Sequence, residues 1–354
     1  MLAALLAAAF PASWVACGGS SNTAPLVDSG TNGDADGGGA DAGFDRSLGT
    51  DDSSAPNGST TDSSGNGMPD GTDGGGSSSG GGTDAGGCGG PMPSPPGYTA
   101  SHRIFEDQFC GTTLDSTKWV TYLGSNGSVW NNGGQVPLPY SAPTAGHPNM
   151  AMYGPSQVTI DHGLTLTAQR NTNQYASTYP WISGIVTTEG KFSLPAGGWY
   201  AQVKAEMPDQ SQGMWAAIWF MPDTGTSTVP ELDGYEGGMR NSSSTPQNQL
   251  GSSNYFSAQG QRGSIYDVGA DMSAGMHVYG IQFLPGTSIT EYFDGRQMNQ
   301  TLASSGVTIP AGTYELMLQL EVAASSASGW HTVTNANTST SAMKIAEVQV
   351  YAAP

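Results

Sequence analysis

Met214-Trp215-Ala216-Ala217-Ile218-Trp219-Phe220-Met221 is an unbroken apolar and aromatic run, closed on one side by Gly213 and on the other by Pro222. A run this short, rich in aromatic side chains and bounded by breakers, reads as a buried strand. Side chains on a strand alternate between faces, so Trp215 and Trp219 point the same way. Comparable runs lie to either side: Gly163 to Ala168, Trp199 to Met207, His277 to Phe283, Ile289 to Phe293, Tyr314 to Val322 and Ile345 to Tyr351. Gly, Pro, Asn and Ser turns separate them, and no long stretch has helical period. Phe293-Asp294-Gly295-Arg296 is a hairpin-type turn between two of them. Many short strands in roughly 255 residues mean an all-β sandwich or barrel, and the expectation is a sandwich.

Just beyond the opening run stands Glu231-Leu232-Asp233-Gly234-Tyr235-Glu236, three acids within six residues of a chain whose charged fraction is only 11%. A Glu-x-Asp-x-x-Glu match has a chance on the order of one in ten in a domain of this size and composition, so the string alone is weak. Its geometry is more informative. Glu231 and Asp233 share a strand face, whereas Glu236 falls on the opposite one unless an extra residue is bulged between them. Gly234 sits where that bulge is needed, and glycines inside strands often mark bulges. Three converging carboxylates repel one another, which keeps one protonated near neutral pH while another stays ionised. Glycoside hydrolysis needs that division of roles. An acidic strand edge facing water, or a calcium site, fits the spacing equally well.

Taken together, these segments resemble glycoside hydrolase family 16, in its bulged branch with the laminarinases and agarases. The resemblance rests on Gly213 to Pro222 followed by the three acids. It extends to Phe105-Glu106-Asp107-Gln108-Phe109 with Leu114-Asp115 and Lys118-Trp119, to Asn131-Asn132 and Gln135, and to Ser183-Gly184 through Phe192-Ser193 with Met207-Pro208. His277 to Gly280, Tyr292 to Gly295 and Met343 to Tyr351 complete it in the family's order. It implies a β-jelly-roll sandwich of two antiparallel sheets with a concave substrate cleft. It also implies a retaining mechanism with Glu231 as nucleophile, Glu236 as general acid/base and Asp233 orienting and tuning Glu231. Trp215, Trp219, Trp130 and Trp181 are candidate sugar-stacking residues, with core packing the alternative for each. Asn131, Asn132 and Gln135 are candidate substrate contacts. The family commonly carries an aliphatic residue at Gly234, an Arg at Ile185, a Glu at Gly133, a His near Asn254 and a Trp near Phe283. These departures fall mainly on substrate contacts, so the glycan is not fixed by the motif. An Asp of the family's calcium site is replaced near Ala346, so calcium is expected to be weak or absent, and no cofactor is expected.

Moving outward to the N-terminus, Leu2 to Phe10 form an apolar run too short to span a bilayer, followed by Pro11-Ala12-Ser13-Trp14-Val15-Ala16 up to Cys17. This reads as a signal peptide over 1–17 of bacterial lipoprotein type, with a lipid anchor at Cys17; simple secretion is the alternative. Residues 18–96 are Gly, Ser, Asp, Thr and Asn with few large apolar side chains, and read as a disordered linker. The jelly-roll domain is expected over 97–354. Eleven Asp and one Arg lie in the linker, so about half of the net charge of −19 belongs there. An acidic chain repels phosphate backbones, which argues against nucleic-acid binding. Cys17, Cys88 and Cys110 lack metal-site spacing, and Cys88 and Cys110 are either bridged or two thiols. The expectation is a monomeric, extracellular or surface-anchored endo-glycosidase acting on a neutral β-glucan or galactan. A noncatalytic carbohydrate-binding lipoprotein, a transglycosylase and a purely structural surface protein are the competing readings.

Overall fold

The computed structural model describes residues 90–124, 136–143, 147–223, 230–241 and 244–354. The expected signal peptide with Cys17, the linker up to residue 89, and Cys88 lie outside the described residues, and Cys110 is exposed. In chain order the strands are β1 (Arg103–Asp107), β2 (Ala151–Tyr153), β3 (Val158–Ile160), β4 (Leu164–Arg170), β5 (Trp181–Ser183) and β6 (Ile185–Thr187). They continue as β7 (Trp199–Glu206), β8 (Met214–Pro222), β9 (Glu231–Glu236), β10 (Leu250–Ser257) and β11 (Gly260–Asp267). The last are β12 (His277–Leu284), β13 (Ser288–Phe293), β14 (Arg296–Leu302), β15 (Tyr314–Val322) and β16 (Ser341–Ala352).

Two sheets are stacked as the expected jelly-roll sandwich. A ten-stranded sheet runs β14-β13-β12-β7-β16-β4-β5-β2, with β1 on β16 and β3 on β4, and a six-stranded sheet runs β11-β10-β9-β8-β15-β6. Pairing is antiparallel except between β2 and β5. Alternation along each strand builds the core: Ala201, Val203, Val348 and Val350 of the large sheet meet Ile218, Phe220, Leu316 and Leu318 of the small one. Trp199 stacks on Phe283 at 5.3 Å and lies 4.6 Å from Phe220, tying the sheets together at one end. The hairpin from β13 to β14 turns through Asp294 (φ 48°) and Gly295 (φ 75°), the left-handed pair that a two-residue turn requires.

Asp107, at the end of β1, accepts from Trp119 Nε1 at 2.8 Å and from the Phe109 amide at 2.9 Å, so this opening corner is fixed by one buried carboxylate. Residues 91–96, read above as the end of the linker, lie against the outer face of the large sheet. Glu347 accepts from the Met92 amide at 2.8 Å, while Gln202 donates to the Pro93 carbonyl at 3.0 Å and Gln349 to that of Met92 at 3.2 Å. Tyr98 then packs with Tyr200 and Tyr351 on the same face. Side-chain amides on the strands satisfy backbone groups that Pro-rich sequence cannot pair by itself.

Candidate active site

The small sheet turns one face to the core and the other outward, and the outward face carries the acids. Leu232 and Tyr235 of β9 belong to the core between the sheets, while Trp215, Ala217 and Trp219 of β8 form a separate cluster on the opposite face. Pairing between β8 and β9 sets Trp219 against Asp233 and Ile218 against Tyr235, which leaves Gly234 as an extra residue. The β10 side shows the same shift, with Asn254 opposite Asp233 and Ser252 opposite Glu236. This bulge returns Glu236 to the face of Glu231 and Asp233. A Cβ on Gly234 would run into the Ile281 side chain of β12, so the facing sheet fills the space that a larger residue would need.

All three acids are buried: Glu231 is 4% exposed, and Asp233 and Glu236 are 0% exposed. Glu236 is held at both oxygens. Trp215 Nε1 donates to Oε1 at 3.1 Å and Asn254 Nδ2 donates to Oε2 at 2.7 Å. Asn254 is itself oriented, because its Oδ1 accepts from Gln261 Nε2 of β11 at 2.8 Å. Burial raises the Glu236 carboxyl to about 7, against the opposing pull of those two donors. Asp233 is pushed well above the usual carboxylate range by burial, then by Glu236, Glu231 and Glu321, and it is hydrogen-bonded to the Glu231 side chain. These influences hold Asp233 towards its protonated form, the form in which it shares a proton with the Glu231 side chain. The arrangement sets Glu231 beside a carboxyl, that of Glu236, which can lose and regain a proton near neutrality.

The structure brings only some of the expected aromatics to these acids. Trp215 and Trp219 share the outward face with the acids, and both are 0% exposed. Trp215 supports Glu236, and its ring is wedged by Trp330 at 5.1 Å and His331 at 4.9 Å. Trp181 sits in the core between the sheets with the Arg170 guanidinium 4.4 Å over its ring, because the β4–β5 pairing directs it inward. Trp130, Asn131, Asn132 and Gln135 lie outside the described residues. Ala346 has no side-chain oxygen, and among the described residues no three His, Cys, Asp or Glu side chains are grouped to hold a metal ion.

Four participants escaped the sequence reading: Asn254, His331, Gln319 and Glu321. His331 places Nε2 2.8 Å from the Gly237 carbonyl, just past β9, and burial lowers its ring to about 4. A signal existed for the other two strand residues. In Leu316-Met317-Leu318-Gln319-Leu320-Glu321-Val322 the polar pair falls on the parity opposite the Leu residues.

Comparison with known proteins adds to this geometry. The model of the family described as glycosyl hydrolases family 16 matches residues 148–345. Over 117 residues the chain is 36% identical to an endo-1,3-1,4-beta-glycanase of Rhizobium meliloti (strain 1021), covering 33% of this chain and 23% of that protein. Over 142 residues it is 28% identical to a glucan endo-1,3-beta-glucosidase of Niallia circulans, covering 37% of this chain and 18% of that protein. The matches thus span less than a quarter of either relative. Among solved structures, the laminarinase catalytic domain of Thermotoga maritima aligns with a TM-score of 0.56 and 19% identity, over 71% of this chain and 97% of that one. The endo-beta-1,3-glucanase of Pyrococcus furiosus aligns with a TM-score of 0.57 and 19% identity, over 71% and 94%. At that identity the two structures speak for the fold.

Proposed function

The chain belongs to glycosyl hydrolase family 16, and on that premise we propose that it is a retaining endo-hydrolase of β-linked glucan. The observation that carries this reading is the unequal treatment of the acids. Asp233 is pushed towards its protonated form and bonded to Glu231, while Glu236 is raised to about 7 between two donors. In the proposed reaction the Glu231 carboxylate attacks the anomeric carbon while Glu236 gives its proton to the departing glycosidic oxygen. A glycosyl ester on Glu231 results. Water then attacks the same carbon, Glu236 takes the water's proton, and Glu231 leaves as carboxylate. Asp233 holds Glu231 in position and spreads its charge as the ester forms and breaks. The β-glucan assignment is supported by the two relatives, an endo-1,3-1,4-beta-glycanase and a glucan endo-1,3-beta-glucosidase.

Reducing-sugar release from laminarin and mixed-linkage β-glucan tests the reading directly. Glu236→Gln is expected to lower kcat by about 10²–10⁴-fold, the usual worth of a general acid. Glu231→Gln is expected to abolish turnover. The newly formed reducing end should emerge as the β-anomer in a fresh proton NMR spectrum; an α-anomer would overturn the retaining mechanism. The lipoprotein-type start extends the proposal to a surface-anchored enzyme. Cys17→Ser should then release the protein from the membrane fraction of its host.

A further inference from the structure

On β15, Leu316, Leu318, Leu320 and Val322 face the core, so Met317, Gln319 and Glu321 face outward with the acids. The ladder pairs Glu321 with Trp215 and Gln319 with Ala217 on β8, and Ala217 pairs in turn with Glu236. Two strand spacings put β15 roughly 10 Å to one side of the catalytic strand. Ala217, a small residue, is the one that stands between Glu236 and Gln319 in the ladder.

Glu321 and Gln319 are both 0% exposed. Among the described residues neither carboxyl oxygen of Glu321 has a hydrogen-bond partner, and Gln319 Oε1 has none either. Gln319 Nε2 is already used, donating to the Tyr153 hydroxyl, which fixes the direction of its carbonyl. Three orphaned polar atoms two residues apart on one strand face are costly to fold, because burial strips their water without replacing it. An apolar pair would pack there at no such cost. Burial, then Glu236 and Glu231 nearby, push Glu321 well above the usual carboxylate range, towards the form whose carboxyl both donates and accepts.

We propose that Glu321, with Gln319 beside it, binds the hydroxyl groups of a sugar unit flanking the one that is cleaved, on the β15 side of β9. The assignment rests on reading the site as a β-glucanase. A neutral donor–acceptor carboxyl next to a fixed carbonyl suits uncharged sugar hydroxyls, and it would reject a unit lacking a hydroxyl there, because the pair would stay unsatisfied.

The test uses the full chain carrying Glu231→Gln, titrated calorimetrically with a mixed-linkage β-1,3-1,4-glucan tetrasaccharide. Adding Glu321→Leu should weaken binding by about tenfold or more, the usual effect of losing a buried polar contact. The same substitution should raise Tm, since it removes a buried unpartnered carboxyl; a merely structural role predicts a fall. Adding Glu321→Gln, which keeps a donor and an acceptor, should bind within about threefold of the parent. Unchanged binding in the Glu321→Leu chain, with the wild type cleaving the polymer, overturns this assignment alone. A wild type that cleaves no β-glucan overturns both this assignment and the reading beneath it.

Discussion

Glu236 is set by opposing influences, and each can be removed separately. Burial favours its protonated form, while Trp215 and Asn254 donate to its oxygens and favour the charged form. Deleting either donor therefore raises the carboxyl further above 7. Asn254→Ala and Trp215→Phe are each expected to move the alkaline limb of the kcat/KM–pH profile to higher pH, since in the proposed mechanism Glu236 must be protonated in the free enzyme. A limb that stays in place would mean that another group controls it. The acids themselves were legible because their spacing is local and only one bulge had to be assumed. Asn254 was not, since it reaches Glu236 by strand pairing across 18 residues. Trp215 was read for its ring face, whereas the structure uses its N–H, a role that residue type alone does not reveal.

At the scale of the strand, the β9 bulge depends on the sheet behind it. Gly234 has no room for a side chain against Ile281, so Gly234→Ala should cost about 1–3 kcal/mol in urea unfolding, the range for overpacking. Combining it with Ile281→Ala should give less destabilisation than the sum of the two single changes, the signature of direct contact. Purely additive losses would place the strain elsewhere. Trp199→Ala, by contrast, removes a ring packed between Phe283 and Phe220 and should cost about 3–5 kcal/mol. The runs of apolar sequence gave these strands nearly residue for residue, as for Tyr314–Val322. Short polar strands such as β11 carried no hydrophobic pattern to betray them, for most of its residues are exposed and it is held by pairing to β10. The inward turn of Trp181 had the same origin, since its face is decided by β4 and not by its own neighbours in sequence.

Across the whole molecule, buried carboxyls tie stability to pH. Burial raises Glu236 to about 7 and Glu291, on β13, to about 8, so the folded protein binds more protons than the unfolded chain between the ordinary carboxylate range and those values. Stability from these groups is present at acidic pH and lost as pH rises through about 7 and 8. Thermal melts should accordingly show Tm falling from about pH 5 to pH 8. A Glu291→Gln variant should flatten the upper part of that decline. The segment 91–96 belongs to this scale too. Its composition, Pro91-Met92-Pro93-Ser94-Pro95-Pro96, is that of a spacer, and Gln202, Glu347, Gln349 and Tyr351, far along the chain, give it a seat. That seat is on the outer face of the large sheet, whereas the acids lie on the face of the small one that is turned away from the large sheet. A handle fused upstream of residue 90 would thus pull from behind the molecule. Fastened to a bead by that handle, the protein would work like a tool gripped by its back, its cutting side turned to the liquid and to any suspended fibre.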